Sequence, residues 1–207
     1  MNRIIAKYLG GMGRNNGDDL EKSYPIMIDN WNYPIDSEVH FDIAYDEGNI
    51  YLKYIVEESN VKAVYTNINE AVWEDSCVEF FISFGDEKYY NFEFNCIGNV
   101  LVGYGPNRDE RKAIDVELIK QIRVVPSLGK QKIEIVDIKT EWTLDIQIPL
   151  AAFQFTDIKS LKGLSTHCNF YKCGDKQVVP HFLSWNPIKA EQPNFHLPQY
   201  FGEVVFE

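Results

Sequence analysis

The sequence predicts an all-β fold, an antiparallel β-sandwich of immunoglobulin-like or jelly-roll type with at most one short helix. Three observations predict it. Apolar and polar residues alternate at period two through about ten short segments. The 12 Tyr and 13 Phe suit pleated surfaces, and a helical stripe appears in one stretch alone. At 207 residues the chain suffices for one domain, burying roughly 70% of the surface its unfolded form exposes.

Residues 1–24 read as a polar lead-in carrying Gly10, Gly11, Gly13 and Gly17, with an edge strand near Ile4 to Tyr8. Residues 25–207 read as the single sandwich domain. Tyr24 to Pro34 mixes apolar and turn residues, and Trp31 within it reads as a lid on one end of the core rather than a ligand contact. Val39, Phe41, Ile43 and Tyr45 then form one apolar row and Ile50, Leu52, Tyr54 and Val56 its partner, a hairpin closed at Asp46-Glu47-Gly48-Asn49. Glu57 to Ala71 has no firm period and reads as a long connection.

The segment from Trp73 to Gly98 is the centre of the chain. Val78, Phe80, Ile82 and Phe84 lie on one face of its first strand, and Tyr90, Phe92, Phe94 and Cys96 on the matching face of its second, across a turn at Gly85 to Lys88. Both apolar rows must face one side, so paired residue numbers sum to an even value. A sum of 172 sets Glu79 opposite Glu93; 174 sets it opposite Asn95, with Glu93 within about 8 Å on the diagonal. Either way Glu79, Asn91, Glu93 and Asn95 share one patch. Like charges opposed on a sheet do not favour folding, so the patch is a candidate ligand surface.

Beyond this hairpin, Ile114, Leu118, Ile119 and Ile122 fit a short helix, preceded by Arg108 and Arg111, which read as a solvated face. Two strands, KIEIVDI and WTLDIQIPL, flank a polar turn at Lys139 to Glu141, and Pro149 ends the second. STHCNFYKCGD alternates less cleanly, and a last strand near His181 to Trp185 leads into a Pro-rich tail.

A formal charge of −11 argues against nucleic acid and anionic membranes as partners. No apolar run reaches the length of a signal peptide or a membrane span, so the chain as given is expected to be soluble and cytoplasmic, export staying open if its start was trimmed. The four cysteines read as buried free thiols, because Cys77 and Cys96, and likewise Cys168 and Cys173, fall on opposite faces.

WEDSCVEFFI, YYNFEFN, NFYKCGD, LSW and PQYFG, in that order, resemble carbohydrate-binding module family 9, in its family-9-like branch of bacterial proteins. The resemblance spans Tyr24 to Phe206. It implies a β-sandwich that grips the end of a glycan between two tryptophans while acidic and amide groups bind hydroxyls. Trp73 matches the first tryptophan, six residues before Glu79, which matches the family's acidic residue; Trp185 matches the second. Asn95 falls on an amide contact, and Lys172 lies near a polar hydrogen-bonding position. Glu93 is a departure, because better-known members carry a basic residue there. The ligand-binding set is therefore Trp73, Glu79, Asn91, Glu93, Asn95, Lys172 and Trp185, with Lys172 equally readable as a solvated surface lysine. The partner is a saccharide, the expected role support of carbohydrate catabolism, with association with a separate glycan-degrading enzyme.

Independently of the family, a pyranose offers C–H faces to an aromatic plane and a rim of hydroxyls to fixed polar groups. Two other readings stand beside this one. Glu79 and Glu93 would serve a retaining glycoside hydrolase, which needs two carboxyls about 5–5.5 Å apart. Haem binding would need axial ligands from His40, His167, His181 or His196, none of which forms a close pair. No cofactor is expected beyond the structural calcium that the resemblance implies. Asp29, Asp46, Glu74 and Asp75 are its hard oxygen donors, without calcium-loop spacing.

Overall fold

A computed structural model describes residues 1–10, 23–85 and 87–207. Gly11, Gly13 and Gly17 of the lead-in, and Asp86 of the central turn, lie outside the described residues. Strands β1 (Arg3–Tyr8), β2 (Tyr24–Pro25), β3 (Ile28–Asp29), β4 (Ser37–Tyr45), β5 (Asn49–Glu58) and β6 (Val61–Ala63) come first. The central hairpin is β7 (Cys77–Ser83) and β8 (Tyr89–Asn95), followed by β9 (Val100–Gly105) and β10 (Lys112–Ala113). Helix α1 (Val116–Ile119) precedes β11 (Arg123–Pro126), β12 (Ile133–Ile135), β13 (Thr140–Pro149), β14 (Ser165–Cys173), β15 (Phe182–Ser184) and β16 (Gly202–Phe206).

Two layers result. One runs β10–β9–β8–β7–β14–β16–β1, with β15 bridging β14 to β3; the other runs β1–β4–β5–β13–β11, with β2 on β4. Alternate residues of each layer face inward, and the layers meet where Phe41 of β4 stacks on Phe170 of β14 at 3.7 Å and 19°. The predicted all-β sandwich is thus the observed one. The short helix forms where its stripe lies, capped by Asp115, whose carboxylate accepts from the Glu117 N–H at 2.9 Å.

The first strand is not at an edge. β1 runs parallel to β16 through Arg3 to Ala6 and parallel to β4 through Lys7 and Tyr8, so it passes from one layer to the other with Ile4 and Ala6 facing the core. The connection after residue 57 is also more ordered than its composition suggests: β5 continues to Glu58, and β6 pairs with β12 as a separate two-stranded ribbon. β12 therefore pairs with β6, while β13 pairs with β5 and β11.

Register in the central hairpin is the even sum of 172, with Glu79 opposite Glu93. Gly85, at φ +101°, supplies the left-handed backbone its turn requires. On its other side β7 pairs with β14, Tyr171 opposite Glu79 and Cys173 opposite Cys77. The outward face of these strands is nonetheless covered. Residues 186–201 fold over it, pinned by Asn186, which accepts from the Asn2 N–H at 2.8 Å and donates to the Tyr200 carbonyl at 2.7 Å. Asn30 adds another tie by accepting from the Ile188 N–H at 2.7 Å. A second apolar cluster forms beneath, of Val72, Cys77, Phe81, Tyr89, Tyr171, Cys173, Ile188, Phe195 and Phe201.

Candidate binding pocket

Between the covering segment and the hairpin lies an open pocket of about 160 Å³. Trp73, Phe182, Pro193 and Phe195 give it apolar walls, and Glu79, Glu93, Arg108, Arg111, Asp175, Asn194 and His196 its polar groups.

Trp73 is half-buried in a single 3-10 turn, Val72–Glu74. Asp75 holds that turn: its buried carboxylate accepts from the Val64 N–H at 3.0 Å, the Tyr65 N–H at 3.2 Å and the Asn95 amide at 2.9 Å. The Trp73 carbonyl also accepts from the Asp175 N–H at 3.2 Å, which fixes β14's exit against the wall. Asn95 is consequently occupied. Its amide also donates to the Tyr65 carbonyl at 2.9 Å and its oxygen accepts from the Asn99 N–H at 2.9 Å. It supports the wall and is no ligand contact.

Glu79 and Glu93 are both almost fully buried. Burial, then the charge of Glu93, pushes the Glu79 carboxyl well above the usual range. Burial raises Glu93 too, to about 7, while Arg111 and the Asn91 amide work the other way. Two carboxyls so placed carry fewer than two negative charges near neutrality. The Glu93 Oε1 accepts from Asn91 at 2.9 Å and meets the Arg111 guanidinium at 3.5 Å. Its Oε2 and the Asn91 Oδ1 are buried without a hydrogen-bond partner among the described residues. Arg111 is steadied by donating from Nε to the Arg108 carbonyl at 2.9 Å. His196 pairs through Nδ1 with the Tyr89 hydroxyl at 2.8 Å. Burial, then the two arginines, depresses its imidazole to about 3, so it is neutral.

The second tryptophan wall is corrected. Trp185 is 5% exposed and sits in the central core, edge-on to Phe41 and Phe170. Gly202 lies so close beneath its ring that a Cβ there would stand 2.4 Å from Trp185 Cζ3. Strand parity is the reason: Trp185 follows core residue Leu183 by two, so the pleat sends Phe182, not Trp185, to the pocket. Phe195 stands beside it, stacked on Tyr171 at 4.2 Å, with Trp31 packed against both phenylalanines.

Lys172 is corrected for the same reason. Opposite Val78, it points between the layers, fully buried, with its ammonium 3.0 Å from Glu58 and 2.7 Å from His181 Nε2. It is neither solvated nor a ligand contact. Arg108 and Arg111, read as a solvated face, both border the pocket; Arg108 is exposed as expected, while Arg111 is largely buried. Cys173, Asp175 and the residues from Pro193 to His196 carried no period that would have announced them; only the parity shared by Cys173 with Glu79 was available.

The four calcium donors do not fit a calcium site. Asp29 accepts from the Trp31 N–H, Asp46 from Gly48, Asn49 and Tyr51, and Glu74 from Tyr65 and Lys176, while Asp75 is engaged as above. Each is engaged within the fold, and they form no cluster of metal-ligand spacing among the described residues. For haem, His181 has both ring nitrogens engaged, with Lys172 and with the Val179 carbonyl.

A β-sandwich with an aromatic-walled, carboxylate-floored pocket defines a class of ligand-binding domain, and within it the chain belongs to carbohydrate-binding family 9, whose pattern matches residues 18–206. A protein of Bacteroides uniformis ATCC 8492, for which carbohydrate binding is proposed, is similar at 38% identity and a TM-score of 0.93, over 99% of both chains. A family 9 module of Caldicellulosiruptor kristjanssonii, solved with glucose and with cellotriose, shares the fold at 13% identity and a TM-score of 0.65, over 100% of this chain and 96% of the glucose-bound one. An extracellular protein of Arthroderma benhamiae is 25% identical over 177 residues, 79% of this chain and 76% of its own length.

Proposed function

We propose that the pocket binds the end of a saccharide, with Trp73 as the main aromatic platform and Phe182 and Phe195 in the place of a second tryptophan. Glu79, Glu93 and Arg111 hold hydroxyls from the floor, and Asn194, Asp175 and Arg108 do so from the rim. The observation that carries this reading is the Glu93 Oε2, buried beneath Trp73's pocket with no hydrogen-bond partner among the described residues. Leaving it unpaired costs about 1–3 kcal/mol, a cost that a hydroxyl donor removes. Arg111 brings a cation to Glu93, at the position where the resemblance implies a basic residue in better-known members. Membership of family 9 and the likeness to carbohydrate-binding proteins support the same ligand class. A place in carbohydrate catabolism, beside a separate glycan-degrading enzyme, follows as part of the proposal.

Calorimetric titration with a panel of mono- and oligosaccharides tests it. Trp73→Ala should weaken the best ligand by about 1–3 kcal/mol, the value of one large apolar contact. An unchanged affinity would move the ligand elsewhere.

Glycoside hydrolysis is a second reading, favoured by the direct opposition of Glu79 and Glu93 and by their raised carboxyls. Both, however, stand side by side on one wall rather than across the cavity. Turnover of aryl glycosides that disappears in Glu79→Gln would establish it; no turnover by the native chain returns the site to binding alone.

A further inference from the structure

Two residues that line the pocket, Glu79 and Cys173, also belong to a second constellation. Cys77 and Cys173 are directly opposed across β7 and β14, and Glu79 follows Cys77 by two residues on the same face. The Cys173 thiol donates to Glu79 Oε1 at 3.0 Å. The two sulfurs and a Glu79 oxygen all lie within 4.8 Å of one another, all three side chains being buried. Among the described residues no other group of His, Cys, Asp and Glu converges in this way.

We infer that Cys77, Glu79 and Cys173 form a binding site for one thiophilic divalent cation of the zinc and cadmium class, built into the floor of the pocket. Zinc–sulfur bonds of about 2.3 Å and zinc–oxygen bonds of about 2.0–2.2 Å place tetrahedral donors roughly 3.5–3.8 Å apart. The observed donors, all within 4.8 Å of one another, bracket that spacing. Paired sulfurs select soft ions over calcium or magnesium, which agrees with the failure of the hard-oxygen donors to assemble.

Three protein donors leave one tetrahedral position open. Glu79 and Cys173 line the cavity while Cys77 lies behind them, so water reaches that position from the cavity. On binding, the two thiol protons, and the Glu79 proton where it is held, leave to solvent; two thiolates and a carboxylate then face a 2+ ion. Arg111, 3.5 Å from Glu93, stands beside the single residual negative charge. The inference rests on the donor geometry and is independent of the saccharide reading, although both use Glu79 and so exclude each other.

The test is titration of the full chain, kept reduced by a phosphine in chelator-treated buffer, with cadmium chloride. A cadmium–thiolate charge-transfer band should grow to one equivalent and be displaced by zinc. Cys77→Ser should abolish it, Cys168→Ser should leave it intact, and Glu79→Gln should weaken binding at least tenfold. Because Cys77 lies outside the saccharide-contacting set, saccharide titration of Cys77→Ser should match the native chain, which separates failure of this inference from failure of the saccharide reading. A rise in the melting temperature of the native chain with zinc, absent with calcium, needs no variant. No band in the native chain, a band that survives Cys77→Ser, or a native chain isolated with Cys77 and Cys173 as a disulfide overturns the inference.

Discussion

Lys172 and Cys173 are neighbours in the chain and both are buried, yet the pleat sends them to opposite faces of β14. Between the layers, Lys172 meets Glu58 at 3.0 Å, as an ion pair rather than an aligned hydrogen bond, and donates to His181 and to the Cys173 carbonyl. Glu58 in turn accepts from the Trp142 indole at 2.8 Å. On the other face Cys173 joins two carboxyls with raised proton affinity, one of which keeps an unpartnered oxygen. Inside, charge meets charge: the Glu58 Oε2, which like the Glu93 Oε2 has no hydrogen-bond partner among the described residues, faces the Lys172 ammonium at 3.0 Å. At the pocket, polar groups are buried but incompletely matched, which costs stability unless something else completes them. The difference separates a structural polar cluster from one built to receive a ligand.

Removing one partner from the inner cluster should cost most. Lys172→Met leaves Glu58 as an uncompensated buried carboxylate, worth about 3–5 kcal/mol, and Trp185→Ala opens a cavity of similar cost against Phe41 and Phe170. Urea denaturation measures both. Trp73→Ala, on the pocket side, should change the folding free energy by under about 1 kcal/mol, because the indole is half-exposed, while weakening the saccharide. If Trp185→Ala instead left stability intact and abolished binding, the assignment of the two tryptophans to the two faces would be reversed.

The inner cluster should also reveal itself by pH. Burial, then the Lys172 charge, depresses His181 to about 3, against about 6.5 when unfolded. Glu58 and Asp36 are the acids that face it. A depressed folded value means that the contribution is complete above pH 6.5 and is lost as the pH falls, since the unfolded chain takes up the proton first. Between pH 7 and pH 5 the native chain should lose about 2 kcal/mol more than His181→Gln does. Equal slopes for the two would show that His181 is protonated in the folded state.

Period-two alternation made most of this arrangement readable. It gave the hairpin, its even register and the patch that holds Glu79, Asn91 and Glu93, because a one-residue slip would expose an entire apolar row. The same rule contained the corrections. Counting by two from Leu183 places Trp185 in the core, and counting by one from Cys173 places Lys172 there, but the family likeness drew both to the site. Residues 186–201 had no such rule. Their position depends on single side-chain ties from Asn2, Asn30 and Asn169, which link residues far apart in the chain and leave no local signature. The parallel course of β1 between two layers is non-local in the same sense.

The smallest effect probes how the pocket side is tuned. Gly103 on β9 lies opposite Asn91, and a Cβ there would stand 2.8 Å from the Asn91 Oδ1 and 3.2 Å from Arg111 Cδ. Gly103→Ala should therefore push the Arg111 stem off the strand and loosen its guanidinium from Glu93. Partial loss of a charge-assisted contact worth about 1.5–3 kcal/mol amounts to about 1 kcal/mol, a roughly fivefold weaker saccharide. The backbone gains a few tenths of a kcal/mol from the less flexible unfolded chain, against about 1–3 kcal/mol for overpacking beside the buried Asn91 amide, so stability should fall modestly. Arg111→Ala supplies the control. If Arg111 transmits the effect, adding Gly103→Ala to it should change affinity no further, because the two act on one contact. A full additional fivefold loss in the double variant would instead trace the effect to Asn91, whose buried oxygen lies nearest the added methyl group.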